Sequence, residues 1–130
     1  MDAGPIVALL DKRDQWHAQA VQAGPALVGR CVTTEPAIVE ATHLMTRGRE
    51  DPALVLEFVL AGGIPVLAPP RILHEACVHL MRRWGRTMDY GDAALVALAG
   101  RLGIHRVFTF DRKGFGQYRA THGRPFEIIP

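Results

Sequence analysis

An α/β fold, a parallel sheet sandwiched by helices, is predicted for this chain by three observations. Short apolar runs such as residues 64–67 and 106–110 alternate with stretches of helical periodicity along the whole sequence. Gly, Pro or a helix-capping side chain marks the changeovers, as at Gly24-Pro25, Gly62-Gly63, Pro69-Pro70 and Gly103. The third is size: 130 residues, 48% hydrophobic and 22% charged, suit a single domain, residues 1–130, with a full apolar core and no staple. Strands separated by helices need crossover connections, and right-handed crossovers lay the strands parallel with helices packed on the sheet.

In order along the chain, residues 5–10 are a short apolar segment that Asp2 precedes, and DKRDQWHAQAVQAG reads as a helix closed by Gly24-Pro25. Two apolar pieces, 26–28 and 31–33, flank a turn at Gly29, and the second reads as a strand. Thr34 is placed to cap a helix with Pro36 in its first turn, where a side-chain oxygen accepts a free N–H and proline has none to lose. Ala37, Ala41, Leu44 and Met45 form that helix's buried stripe, and Arg47-Gly48-Arg49 ends it. Asp51-Pro52 opens another helix, apolar at Leu54, Val55, Phe58 and Val59, with Gly62-Gly63 as terminator. Residues 64–67 read as a buried strand, and Pro69-Pro70 begins a helix reaching Trp84, followed by a turn over 85–87. The next helix, from Tyr90 to Leu102, turns Leu95, Leu98, Ala99 and Leu102 inward and Arg101 outward, and Gly103 ends it. RVFTF at 106–110 is a strand, and PFEII, between Pro125 and Pro130, is an edge strand.

Several function classes fall away at once. Two cysteines, Cys31 and Cys77, with no CxxC, supply neither a disulfide framework nor a four-ligand zinc site, and point to a reducing, cytoplasmic setting. The opening MDAGPIVALLDKRD has an acid at position 2 and no basic run, so it does not read as a signal peptide. The longest apolar stretch is interrupted by Glu57, Gly62, Gly63 and Pro65, which excludes a membrane span. GxGxxG, Walker A and G-x-S-x-G spacings are absent, so nucleotide cofactors and a serine nucleophile are not expected. A net charge of +2 is too mild to announce a nucleic-acid binder, yet Lys12 and Lys113 are the only lysines beside many arginines. Arginine's rigid donor fork matches phosphate oxygens, although a GC-rich genome produces the same bias.

Open parallel sheets bind ligands beyond the carboxyl ends of their strands, so polar residues at those ends carry the chemistry. Asp2, Glu40, Asp92 and Asp111 come from well-separated segments, and each adjoins buried structure. Carboxylates beside a core are costly unless something cationic pairs with them, and a divalent ion pairs with several at once. Each acid also has a purely structural reading. Asp2 and Asp111 are placed to cap short helices, Asp92 sits near a helix N-terminus that favours negative charge, and Glu40 is within reach of Arg47. Asp89 is divided evenly between an N-cap and a metal role.

The segments MDAGPIVALLDKRD, TTEPAIVEATHLM, MDYGDAALVALAGRLG and VFTFDRKGFGQYR, in this order, resemble the PIN domain, and among PIN proteins the VapC-type toxin ribonucleases. The resemblance covers nearly the whole chain and implies a three-layer α/β/α sandwich around a parallel sheet. It further implies an acidic metal-binding quartet at Asp2, Glu40, Asp92 and Asp111, with Asp89 auxiliary and Thr109 as a supporting hydroxyl. Such a site takes Mg²⁺ or Mn²⁺, since carboxylate oxygens suit hard octahedral ions. The implied reaction is hydrolysis of RNA phosphodiesters, Asp111 completing the site or orienting the attacking water. A small antitoxin partner is implied as well; the acidic pocket itself invites an inserted Arg or Lys from it, and the helices over Asp51–Ala61 and Pro70–Trp84 offer a surface for a homodimer. One departure stands out: PIN chains place an apolar strand before the first Asp, and here only Met1 precedes it. Either the start codon is misassigned or the central first strand is lacking, and the second case predicts a poorly held Asp2 and a weakened metal site.

Arg82, Arg83 and Arg86 before Asp89, and Arg112 and Lys113 after Asp111, are candidate RNA-binding residues that rim the acids; a solvated helix face is the plainer alternative. Trp16 and Trp84 read as packing residues, and no histidine is assigned a role. Beside the toxin reading and its alternative, a non-toxin PIN-domain ribonuclease in RNA processing, two other functions are open. A receiver-like signalling domain also gathers acids and a threonine at strand ends, but needs a lysine ending a late strand, and neither lysine is so placed. A PIN-like interaction module would keep the fold and lack the metal.

Overall fold

The computed structural model describes residues 1–120 and 123–130 of the chain. Its helices are α1 (Ala3–Leu10), α2 (His17–Ala23), α3 (Glu35–Arg47), α4 (Ala53–Ala61), α5 (Arg71–Trp84), α6 (Tyr90–Leu102) and α7 (Arg112–Phe115). The strands are β1 (Thr33–Thr34), β2 (Val66–Leu67), β3 (Arg106–Phe108) and β4 (Glu127–Ile129). All pairing between them is parallel, β1 with β2 and β3 with β4.

Register explains the layering. Successive side chains of a strand point to opposite faces. Val107 pairs with Ile128, and both face an apolar cluster built on α5 and α6; Phe108 pairs with Ile129, and both face a cluster built on α1 and α2. A further cluster joins α1, α3 and α4 through Ile6, Ala41, Met45, Val55 and Val59. Helices therefore cover the β3–β4 half-sheet on both faces, as expected of an α/β/α sandwich. Helix α6 is the most enclosed, with Ala93 through Leu98 all buried, and its alanines let neighbouring elements approach closely. Its stop is Gly103 at φ 68°, a left-handed conformation that glycine adopts without a Cβ penalty. Against it α5 lays the stripe Leu73, Ala76, Cys77, Leu80, Met81 and Trp84.

The two half-sheets are joined by the first two residues. The Met1 ammonium donates to the Val32 carbonyl at 2.7 Å, and Thr33 Oγ1 donates to the Met1 carbonyl at 2.8 Å. On the other side Asp2 N–H donates to the Phe108 carbonyl at 3.0 Å. Residues 1–2 thus stand where a central strand would lie between β1 and β3. Beside them is a cavity of about 260 Å³ lined by Met1, Val32, Leu98, Val107, Phe108 and Phe126. Burial pushes the Met1 ammonium below its usual range.

Several sequence expectations need correction. The helix expected across residues 11–24 begins only at His17, because Asp11 and Asp14 accept the N–H groups of Arg13 and Trp16 and hold 11–16 in turns. The apolar piece at 26–28 is not buried: a 3₁₀ turn covers Gly24–Leu27, and Val28 is 75% exposed. The strand placed at 31–33 is instead Thr33–Thr34. The buried strand at 64–67 shrinks to Val66–Leu67 at a sheet edge with Val66 exposed, since only β1 pairs with it. The strand at 106–110 ends at Phe108, where Thr109 turns its hydroxyl toward Asp2. Leu102, expected inward, is exposed as the last residue of α6.

Candidate active site

Four segments bring acids to the carboxyl end of the sheet. Asp2 follows the two-residue join, Glu40 rides on α3, Asp89 and Asp92 open α6, and Asp111 follows β3. Contrary to the expectation from its short lead-in, Asp2 is firmly held. Its Oδ1 accepts from Ala3 N–H at 2.7 Å, capping α1, and its Oδ2 accepts from Thr109 Oγ1 at 2.7 Å. The buried Thr109 hydroxyl also accepts from Asp111 N–H at 3.0 Å, so one side chain fixes two of the acid-bearing segments.

Asp89 caps α6 by accepting from Asp92 N–H at 2.9 Å, and Asp111 caps α7 by accepting from Gly114 N–H at 2.9 Å. The capping readings of Asp2, Asp89 and Asp111 therefore all hold. Capping does not exhaust these groups, since each carboxylate keeps lone pairs beyond the bond it accepts. Glu40 is exposed along its stem, but its carboxylate lies within 3.3 Å of the point a Cβ on Gly91 would occupy, beside Asp89 Oδ1 at 3.2 Å. Ion pairs among the described residues join Arg13 to Asp11 and Glu50, and Arg106 to Glu127; none takes up Glu40.

Electrostatics reports the crowding. Burial, then the charge of Asp89 and Asp2, pushes the Asp92 carboxyl up to about 7. Burial raises Glu40 too, with Asp2 and Asp89 adding to it. Asp2 is raised by burial against the opposing pull of its Thr109 bond. A site in which ionised carboxylates repel one another favours any cation that enters. Among the described residues no three His, Cys, Asp or Glu side chains are already gathered closely enough to hold an ion. The donor set is all carboxylate oxygen in an open arrangement, a chemistry that suits a hard, oxygen-seeking cation over a soft one.

The cations divide. Arg86 and Lys113 line a hollow of about 290 Å³ beside Asp111. Arg112 donates to the Pro130 carbonyl at 2.6 Å, and Arg83 lies 5.5 Å over the Trp84 ring. Arg82 shares the last turn of α5 with Arg83, where basic residues complement the helix dipole. Trp16 stacks on Phe110 and Trp84 meets Tyr118 edge-on, so both tryptophans pack as expected.

Sequence reasoning missed Tyr118. Its ring is fully buried among Trp84 and Phe115, and its hydroxyl donates to the Thr87 carbonyl and lies 3.3 Å from Asp92 Oδ2. Burial and the charges of Asp92 and Asp111 push this phenol up to about 12. Gly114 was missed as well, and its signal was present: a glycine three residues after a capping Asp, inside a helical turn, costs roughly 1 kcal/mol against alanine unless space demands it. Tyr118→Phe is expected to lower stability by about 1–2 kcal/mol, measured by urea denaturation, because the Thr87 carbonyl loses its donor and Asp92 loses the hydroxyl 3.3 Å from its Oδ2.

With this geometry in view, a family model of the PIN domain matches residues 1–120. Among solved structures, that of VapC20 from Mycobacterium tuberculosis, a sarcin-ricin loop cleaving toxin, is similar at a TM-score of 0.79. It is 20% identical in sequence, and the alignment covers 87% of this chain and 89% of that one, which shows a shared fold. No curated protein matches the sequence significantly.

Proposed function

This chain belongs to the PIN-domain family, and from that premise we propose that it is a metal-dependent endoribonuclease, the toxin of a toxin–antitoxin pair. The observation that carries the reading is the convergence of Asp2, Glu40, Asp89, Asp92 and Asp111, with Asp92 raised to about 7 by burial and its acidic neighbours. In this reading Asp2, Glu40, Asp92 and Asp111 hold Mg²⁺ or Mn²⁺, and Asp89 assists. When bound, the ion supplies Lewis acidity, acidifying water at neutral pH and offsetting charge on the phosphodiester. The chain's own groups do the rest. Thr109 orients Asp2 and the Asp111 backbone, Tyr118 steadies Asp92, and Asp111 is placed to orient the attacking water. Arg86 and Lys113 take backbone phosphates, with Arg82, Arg83 and Arg112 on the outer rim.

Partners follow from the same site. An acidic cleft invites an inserted Arg or Lys from an antitoxin tail, which competes with the ion by matching its charge. Helices α4 and α5 leave Leu56, Leu60, Ile72 and Val78 exposed, the surface through which a homodimer would form. No helix among the described residues is long and apolar enough to cross a membrane, and the proposed setting is cytoplasmic. The test is twofold. The purified protein should cleave single-stranded RNA with Mg²⁺ or Mn²⁺ and lose all cleavage in EDTA; undiminished cleavage in EDTA overturns the metal reading. Expression alone should arrest growth, reversed by co-expression of the neighbouring small gene; a folded, harmless protein overturns the toxin reading.

A further inference from the structure

The surface is hollowed on both flanks of the carboxylates, and the two hollows differ in chemistry. Beside Asp111 the lining is cationic and amide, with Arg86, Lys113 and Gln117. Beside Glu40 and Asp89 lies an open groove of about 840 Å³ between α3 and the start of α6, walled by Pro36, Val39, Pro69 and Tyr90. No cation of the Lys or Arg type lines it, while Glu35, Glu40 and Asp89 do. Besides the imidazoles of His43 and His74 it offers a phosphate no side-chain nitrogen donor, and a neutral planar group needs none.

The wall offers such a group a platform. Tyr90 is 39% exposed, and its hydroxyl is 2.9 Å from His74 Nε2. That bond, with the rings 6.0 Å apart, fixes the plane of the tyrosine instead of leaving it free to swing. Base–aromatic stacking tolerates any base, because every base has a π-face, and single-stranded RNA can splay a base out to reach it.

Resting on the ribonuclease reading above, we propose that this groove is a nucleobase subsite. An unstacked base of the RNA lies on Tyr90, against Val39 and Pro36, while the phosphate across the carboxylates is received by Arg86 and Lys113. The substrate then crosses the site in one fixed direction, from an acidic, base-accepting flank to a cationic, phosphate-accepting one. Tyr90 is the base-binding residue, and it accepts any unpaired nucleotide whose base can leave the stack.

The test uses short single-stranded oligoribonucleotides, each carrying one 2-aminopurine at a different position, with Mg²⁺ and the intact protein. Fluorescence should be quenched at one position only, and Tyr90→Ala should remove that quenching and raise KM about tenfold. Tyr90→Phe, which keeps the ring, should retain the quenching, and circular dichroism checks that both variants are folded. Arg86→Ala should weaken binding of every oligonucleotide alike and reduce the salt dependence. If Tyr90→Ala binds and quenches as the wild type does, the subsite is wrong while the ribonuclease stands. Loss of a protein partner from Tyr90→Ala, with RNA binding intact, overturns the subsite in the same way. If the wild type neither binds nor cleaves RNA, the ribonuclease reading itself fails and the subsite falls with it.

Discussion

Replacing Asp92 with Asn is expected to reduce RNA cleavage by at least 10²–10³-fold, the typical cost of removing one preorganised electrostatic group, while making the metal-free protein more stable. The two effects have one cause. Asp92 lies among Asp89, Asp2 and Asp111, and burial with their charge lifts its carboxyl from 3.8 to about 7. Between those values the folded protein holds a proton that the unfolded chain releases, so stability rises as pH falls through that window and is lowest above pH 7. A shift of that size would amount to about 4 kcal/mol, and solvent screening of a half-buried carboxyl reduces this to about 1–2 kcal/mol. Denaturation of wild type in EDTA should therefore show greater stability at pH 5 than at pH 8, with Asp92→Asn flattening the difference. Mg²⁺ should restore stability to the wild type at pH 8 and do so less for the variant. Unfolding of Asp92→Asn at neutral pH would instead identify Asp92 as a structural residue.

Gly114→Ala is expected to damage fold and site together. A methyl group at this position collides with Asp111 Oδ2 and comes within 2.9 Å of Tyr118 Cε2 and Oη. Asp111 must then leave its cap on α7, or the buried Tyr118 must shift away from Thr87 and Asp92. The lost cap costs about 1 kcal/mol and overpacking about 1–3 kcal/mol, so a total of roughly 2–4 kcal/mol is expected in denaturant titrations. Cleavage should fall at least tenfold even at temperatures where the variant is folded, because Asp111 no longer points where its neighbours hold it. An unchanged melting temperature and rate would show that Asp111 swings aside without consequence.

Much of this was legible in the linear chain because local chemistry wrote it there. Thr34 with Pro36, Asp89 before Tyr90, and Gly103 after Leu102 mark helix ends through backbone groups only a few residues away. The acids were readable for a related reason: a carboxylate beside an apolar stripe needs an explanation wherever it lies. The short strands were less legible. Two or three residues carry too little periodicity to separate β1 from its approach or to end β3 at Phe108, and pairing partners decided both.

What the residues by themselves determined, then, is the alternation of helices and strands, the caps, and the set of acids. Tertiary structure alone decided that two residues, Met1 and Asp2, bridge the half-sheets and that Thr109, 107 positions away, holds Asp2 in place. It alone brought Tyr118 beneath Asp92, made Gly114 the spacer beside it, and left Arg86 and Lys113 on one flank with Tyr90 on the other. The physical reason is range. Caps and turns are settled by hydrogen bonds between near neighbours, whereas the charge a carboxylate feels and the space a glycine must leave depend on atoms that only the packed sheet and helices bring together.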